Sequence, residues 1–368
     1  MKKHAVLAAL SLFAVAASAC SGNAASPPGP TPAPTPSPAP TPAPTATPSP
    51  AATQPLVDAV NASPVRDIHV LIGDRRGVVF QYRKGALGGG DVLPIASATK
   101  MLAGITILRL VEAGKLRLDD HPQRYLPFWT SDTADARSRV TLAQLLSFTS
   151  GFNVPETDDR CITDGAATMQ ACAKEFFERG LDTEPGAAFA YGPAHLQIAG
   201  AMAEAATGKR FQDLFSLEVA APAGMSNNTE LRFPGPENPR LSGGGFATPD
   251  DYGRFLSALL DGRLLRDIAT YTADRTNGLP MINSPMGSTS SWHYALASWR
   301  ECDGPVYSGG CAAESVVSSP GAFGWTPWID FGRGYWGLVA MRDAPGSRNG
   351  VALEQELQPL VERLLAGP

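Results

Sequence analysis

Residues 101–113 are apolar on nearly every side of a helix, and this segment constrains the fold more than any other. A surface helix shows one apolar stripe, whereas a helix that is apolar all round has to be covered on all sides. The run Met101-Leu102-Ala103-Gly104-Ile105-Thr106-Ile107-Leu108 continues to about Ala113 and stops at Gly114, a helix-ending residue. The chain must therefore build further layers around a central helix. At the head of that helix stands Ser97-Ala98-Thr99-Lys100. Residues three apart share one helix face, which sets the Lys100 amine beside the Ser97 hydroxyl. A serine hydroxyl is a poor nucleophile until a neighbouring base takes its proton. A neutral lysine does this when burial lowers its pKa. The helix N-terminus also aims N–H groups at an oxyanion forming there. On its own the tetrad reads more simply as an N-cap serine followed by a solvated lysine.

Elsewhere the pattern alternates between strand and helix. Ile68-His69-Val70-Leu71-Ile72 and Val78-Val79-Phe80-Gln81-Tyr82 flank a Gly/Asp turn and read as a hairpin. Helices are expected over 141–146 with Thr141 as N-cap, 169–179, 196–207, 211–219 and 250–260. Strands are expected over 325–330 and 335–341, around Gly332-Arg333-Gly334, followed by an amphipathic helix over 351–365. Strands near both ends imply one sheet assembled from both termini, with a helical subdomain over roughly 115–245 beside it.

The N-terminus carries its own signals. Lys2 and Lys3 precede an apolar stretch over 5–17 that ends in Ala17-Ser18-Ala19-Cys20. This reads as a signal peptide over 1–19, and the stretch is too short to span a bilayer comfortably. Cys20 sits as in the lipobox of bacterial lipoproteins, although Ala17 stands where such boxes usually carry leucine. Lipidation of Cys20 is the expectation; plain cleavage would leave it a stray thiol. The Pro/Ala/Thr tract that follows has no apolar face and favours an extended, semi-rigid spacer. We read 20–55 as lipidated cysteine and linker and 56–368 as the globular domain, in contact with membrane only through the lipid.

The other four cysteines fall in two local pairs, Cys161 with Cys172 and Cys302 with Cys311. In an oxidising compartment these close short loops as disulfides; a tetra-cysteine zinc site is the alternative, but Cys-x-x-Cys spacing is missing. A net charge of −5 with no basic run makes nucleic acid an unsuitable partner. The five histidines show no metal-binding spacing, so no metal site is expected.

A serine and a lysine alone do not complete an acyl-transfer site. In Ala190-Tyr191-Gly192-Pro193 a tyrosine precedes a helix, where a partly ionised hydroxyl near Lys100 would share the base role and then protonate the leaving group. An ordinary buried tyrosine is the plain alternative. In Ser318-Ser319-Pro320-Gly321-Ala322, the glycine permits close backbone approach at a strand edge, and the Ala322 N–H is a candidate second oxyanion donor. His195 reads as a structural helix-start histidine, with a substitute substrate donor as the alternative.

The order and surroundings of these segments resemble the serine hydrolases of the class C β-lactamase, D-alanyl-D-alanine carboxypeptidase and family VIII esterase group. Pro94-Ile95-Ala96-Ser97-Ala98-Thr99-Lys100 is similar to that family's first motif. Further similar segments are Gly114-Lys115-Leu116-Arg117-Leu118-Asp119-Asp120 with Tyr125-Leu126-Pro127, and Leu145-Leu146-Ser147-Phe148-Thr149-Ser150-Gly151. Gly243-Gly244-Gly245-Phe246-Ala247-Thr248 with Asp251, Tyr252 and Phe255 completes the likeness, which spans about 65–365. The resemblance implies an α/β (α+β) chain with the β-lactamase-like, penicillin-binding-protein-like fold: an antiparallel sheet with flanking helices plus a helical subdomain. It implies Ser97 as nucleophile, Lys100 and Tyr191 as proton handlers, and Ser97 and Ala322 as oxyanion donors, with Ser319 and Gly321 on the substrate side.

Two departures narrow the subclass. Pro193 stands where the family's second motif has Asn, and proline has no side-chain donor for a substrate amide. Ser319-Pro320-Gly321 stands where the third motif is Lys-Thr-Gly or His-x-Gly, so the group expected to face a substrate carboxylate is missing. The expectation is a lipid-anchored envelope serine hydrolase cleaving small esters, without metal or organic cofactor. A β-lactamase or carboxypeptidase acting on cell-wall-derived substrates is one alternative, and a silent envelope-binding protein of the same fold is the other.

Overall fold

In the computed structural model, residues 49–367 are described apart from 158–159, 287–290, 303–306, 314–315 and 347. Cys20, the expected signal peptide and most of the spacer lie outside the described residues. Seven strands form one antiparallel sheet: β1 (Ile68–Asp74), β2 (Gly77–Lys84), β3 (His293–Tyr294), β4 (Trp299–Arg300), β5 (Val316–Ser318), β6 (Thr326–Asp330) and β7 (Tyr335–Met341). Their order is β2-β1-β7-β6-β5-β4-β3, so the N-terminal hairpin docks on the last strand of the chain. Val70 is the hinge of the register, facing Tyr82 on one side and Val339 on the other. The sheet is thus assembled from both ends of the sequence, as the strand pattern predicts.

Six longer helices matter for the architecture: α1 (Pro50–Ala62), α2 (Thr99–Glu112), α3 (Met169–Arg179), α4 (Ala194–Thr207), α5 (Pro249–Leu260) and α6 (Asn349–Ala366). Along β1 the side chains alternate between two covered faces, as the period of two demands. Val70 and Ile72 pack with Leu56 and Val60 of α1 and Leu353 and Leu357 of α6. Leu71 points the other way, into a core shared with α2 and α5. Helix α2 is enclosed as its apolar sequence requires, with Met101, Leu102, Ile105 and Ile107 all buried. Each such side chain contributes roughly 1.5–3 kcal/mol by leaving water. Gly114, just past the helix, adopts the left-handed conformation that closes it.

Local signals land where expected at Thr141, whose side chain and that of Gln144 form a reciprocal capping box on the helix Leu142–Leu146. Two expectations change. The spacer read as reaching residue 55 gives way to helix at Pro50, because Ser49 caps it and proline is accepted in a first turn. The helix expected over 211–219 is ordinary α-helix only over Phe211–Phe215, widens into a π-turn at Ser216–Ala220, and ends in a last turn, Ala221–Ala223, that holds Pro222, a residue without an N–H. Both expected disulfides are present: Cys161–Cys172 ties the short helix Arg160–Thr163 to α3, and Cys302–Cys311 closes a loop beyond β4.

Candidate active site

Ser97 lies in a 3-10 turn, Ala96–Ala98, that leads into α2. Ala96 has a φ of 44°, a strained conformation for a residue with a side chain, so the turn is held by its surroundings. Three ties do this. Thr99 Oγ1 donates to the Ala96 carbonyl at 2.6 Å, Tyr252 Oη donates to the Ala98 carbonyl at 2.8 Å, and Ser319 Oγ donates to the Ser97 carbonyl at 2.9 Å. The Tyr252 bond explains one residue of the Gly-rich signature segment.

Lys100 sits one helical turn on from Ser97, fully buried, with its Nζ 3.2 Å from Ser97 Oγ. Its other two partners come from distant segments: the Ser242 carbonyl at 2.6 Å and Glu156 Oε1 at 2.7 Å. Glu156 in turn is gripped by Arg240, whose Nη2 lies 2.5 Å from Oε2 and also donates to the Glu156 carbonyl at 3.1 Å. Burial pushes the Glu156 carboxyl up, but the Lys100 and Arg240 charges outweigh it and hold the group below the usual carboxylate range.

The Tyr191 ring stacks on Trp299 with centroids 5.5 Å apart, and Lys100 Nζ stands 4.3 Å from the Tyr191 ring centre. The hydroxyl feels both Ser97 and Lys100. Burial raises its pKa more than the Lys100 charge lowers it, so Tyr191 is a neutral phenol at rest. This corrects the expectation of partial ionisation: a desolvated phenolate costs more than one partly shared ammonium returns.

His195 is the structural residue it was read as. Its ring is fully buried, stacked on Phe148 at 4.8 Å, with Nε2 2.8 Å from the Ala190 carbonyl and Nδ1 2.8 Å from Ser150 Oγ. Burial holds the imidazole down at about 4, so it is neutral, Nε2–H donates to Ala190, and Nδ1 accepts from Ser150. The ring thereby pins the strand end that carries Tyr191.

The loop after β5 closes the site from the opposite side. A Cβ on Gly321 would lie 2.2 Å from the Ile95 carbonyl oxygen, so only glycine lets this backbone lie against the Ser97 turn. Ser97, Gly321 and Ala322 border one cavity of about 600 Å³, which Tyr191, Glu156 and Arg240 also line. Its remaining wall is largely apolar, including Phe233, Phe246, Met286, Trp299, Phe323 and Val351. Ser319 is a correction: it does not line the cavity, and its hydroxyl is committed to the Ser97 carbonyl, so it supports the Ser97 turn from behind.

A β-lactamase family model matches residues 63–343. The chain belongs to the β-lactamase family. Among relatives, penicillin-binding protein 4 of Amycolatopsis lactamdurans is 29% identical over 167 residues, covering 45% of this chain and 42% of that protein. Esterase EstB of Burkholderia gladioli is 34% identical over 143 residues, 36% of each chain. The aligned part thus spans well under half the length of these curated relatives. A β-lactamase-type crystal structure from Bacteroides dorei superposes with a TM-score of 0.70 at 26% identity, covering 84% of this chain and 97% of that one.

Within the site of this β-lactamase-family chain, sequence reasoning brought together Ser97, Lys100, Tyr191, Gly321 and Ala322. It missed Glu156, Arg240 and the Ser242 carbonyl. A lysine expected to be buried beside Ser97 needs acceptors, since a buried amine does not go unpartnered, but nothing in the sequence says which residues supply them.

Proposed function

We propose that this chain is an exported, lipid-anchored serine hydrolase that cleaves small esters through an acyl-enzyme on Ser97. The observation that carries the reading is the Ser97–Lys100–Tyr191 cluster at the edge of a largely apolar cavity. Ser97 Oγ attacks the ester carbonyl carbon while its proton passes to the Lys100 amine. Charge developing on the carbonyl oxygen meets the N–H groups of Ser97 and Ala322. The tetrahedral intermediate then expels the alkoxide, which takes a proton from the Tyr191 phenol, itself resupplied from Lys100. Water attacks the resulting acyl ester by the reverse proton route and frees Ser97.

Pro193 and Ser319 support esters over penicillins. Proline offers no donor to a substrate amide, and the Ser319 hydroxyl faces the Ser97 carbonyl instead of a substrate carboxylate. The envelope location rests on the sequence around Cys20, and membrane attachment through that lipid is part of the proposal. Among the described residues no helix is long and apolar enough to cross a membrane.

Purified protein treated with a fluorophosphonate and, separately, with a fluorescent penicillin tests the reading. Modification of Ser97 by the fluorophosphonate alone, with turnover of a nitrophenyl ester that Ser97→Ala abolishes, is the expected result. Rapid penicillin acylation would move the chain to the β-lactamase or carboxypeptidase class. No label at all would leave a silent binding protein. Weighing the mature N-terminus tests Cys20 lipidation.

A further inference from the structure

We propose that Glu156 is a positioning residue for the Ser97–Lys100 pair: with the Ser242 carbonyl it occupies two of the three hydrogen-bonding directions of the Lys100 amine and turns the third onto Ser97. This rests on the hydrolase reading above and adds a residue that the sequence motifs do not contain.

The inference follows from counting hydrogens on Nζ. Its polar neighbours are Ser97 Oγ at 3.2 Å, Glu156 Oε1 at 2.7 Å and the Ser242 carbonyl oxygen at 2.6 Å. An ionised carboxylate and a carbonyl only accept hydrogen bonds, whereas a hydroxyl both donates and accepts. A neutral amine has two N–H bonds and one lone pair. In the structure Nζ donates to all three neighbours, as an ammonium does. In the neutral form that acylation requires, the two remaining N–H bonds stay on Glu156 and Ser242, and the lone pair faces Ser97, whose O–H then donates to it. Once the proton crosses, the third N–H of the ammonium already points at Ser97 Oγ. No partner has to be exchanged during acylation.

Glu156 is itself held for this task. Its two oxygens are divided, Oε1 to Lys100 and Oε2 to Arg240, and Ser242 Oγ donates to Oε2 at 3.4 Å. Arg240 Nε donates in turn to Ser242 Oγ at 3.1 Å, so the carboxylate plane is fixed from two sides. The segment carrying Glu156 lies against the Tyr191 turn because Gly192 has no side chain: a Cβ there would sit 1.8 Å from the Val154 carbonyl oxygen. Several charged or titratable groups face Glu156 and Lys100. They are Arg240 from its loop, Tyr191 and His195 from the segment leading into α4, and Tyr294 from β3. Of these, His195 is neutral, and burial raises both Tyr191 and Tyr294, so Arg240 is the only other fixed charge in the set.

The test measures the rate of Ser97 labelling by a fluorophosphonate from pH 5 to 10 for wild type, Glu156→Ala and Glu156→Gln, with thermal unfolding of each. Glu156→Ala removes the acceptor and frees the amine to turn, and labelling should slow by roughly 10–100-fold. Glu156→Gln keeps an acceptor and the shape while removing the charge. Its labelling should stay within about tenfold of wild type, with the rising limb of the pH profile moved to lower pH, because the negative charge 2.7 Å from the amine is gone. Rates and limbs that match wild type in both variants would overturn the proposal. So would slower labelling with an unmoved limb and a lower melting temperature, the mark of a purely structural glutamate. Wild-type protein inert to the reagent would instead overturn the hydrolase reading, and this inference with it.

Discussion

Replacing Gly321 by alanine should disable the nucleophile turn while leaving the protein folded. The new Cβ would lie 2.2 Å from the Ile95 carbonyl oxygen and 3.3 Å from that of Trp325. The first contact is roughly 1 Å shorter than the about 3.3 Å of a close carbon–oxygen approach, and neither atom belongs to a side chain that can swing away. The same Ile95 carbonyl accepts the Ala98 N–H at 3.1 Å, a bond of the turn that carries Ser97. Relief therefore has to come from separating two backbone segments, one bearing Ser97 and the other Ala322. A displacement near 1 Å between a nucleophile and an oxyanion donor costs roughly 10²-fold in kcat, about 2.7 kcal/mol of barrier. Overpacking of this size costs about 1–3 kcal/mol of stability. That corresponds to a melting temperature lower by about 1.5–5 °C for a domain of this length. Nitrophenyl ester hydrolysis and thermal unfolding would be measured together, with Gly90→Ala as control, since an added Cβ there meets nothing within 4 Å. A Gly321→Ala protein with kcat within twofold of wild type would refute the reasoning.

Two further outcomes follow from buried groups. The His195 imidazole is held at about 4, below the ordinary 6.5 of a free imidazole, so the unfolded chain binds more protons between those values, and acidification should destabilise the fold. Between pH 7 and 5 this one residue accounts for about 2 kcal/mol, seen as a shift in urea midpoint that is smaller in His195→Gln. His69, also held at about 4, adds a component of the same sign that His195→Gln leaves in place. The disulfides close loops of 11 and 9 residues' separation. Each should contribute about 2.7 kcal/mol by the chain-entropy estimate. Replacing Cys161 and Cys172 together by serine should lower unfolding stability by about that amount, and reductant should then lower it again through Cys302–Cys311 alone.

Much of the architecture was legible because it is written in local patterns. The enclosure of α2 follows from its all-round apolar sequence, and the capping box from Thr141 and Gln144 three residues apart. The hairpin follows from alternation around a turn, and both disulfides from cysteines close in sequence. The π-turn before Pro222 was not legible, since the same residues also satisfy an ordinary helical pattern.

For the site, the sequence by itself set Ser97 and Lys100 three apart at a helix start, a spacing that allows the pair to meet on one face. The departures at Pro193 and Ser319 from the motifs of the family it resembles were visible there too. Only the tertiary structure decided how that pair is held. Glu156 reaches Lys100 across 56 residues, the Ser242 carbonyl across 142, and Ser319 reaches the Ser97 carbonyl across 222. Contacts of that separation leave no periodicity in the chain. They are set by which backbones can approach, at Gly192 and Gly321, and by the need of a buried amine to find acceptors.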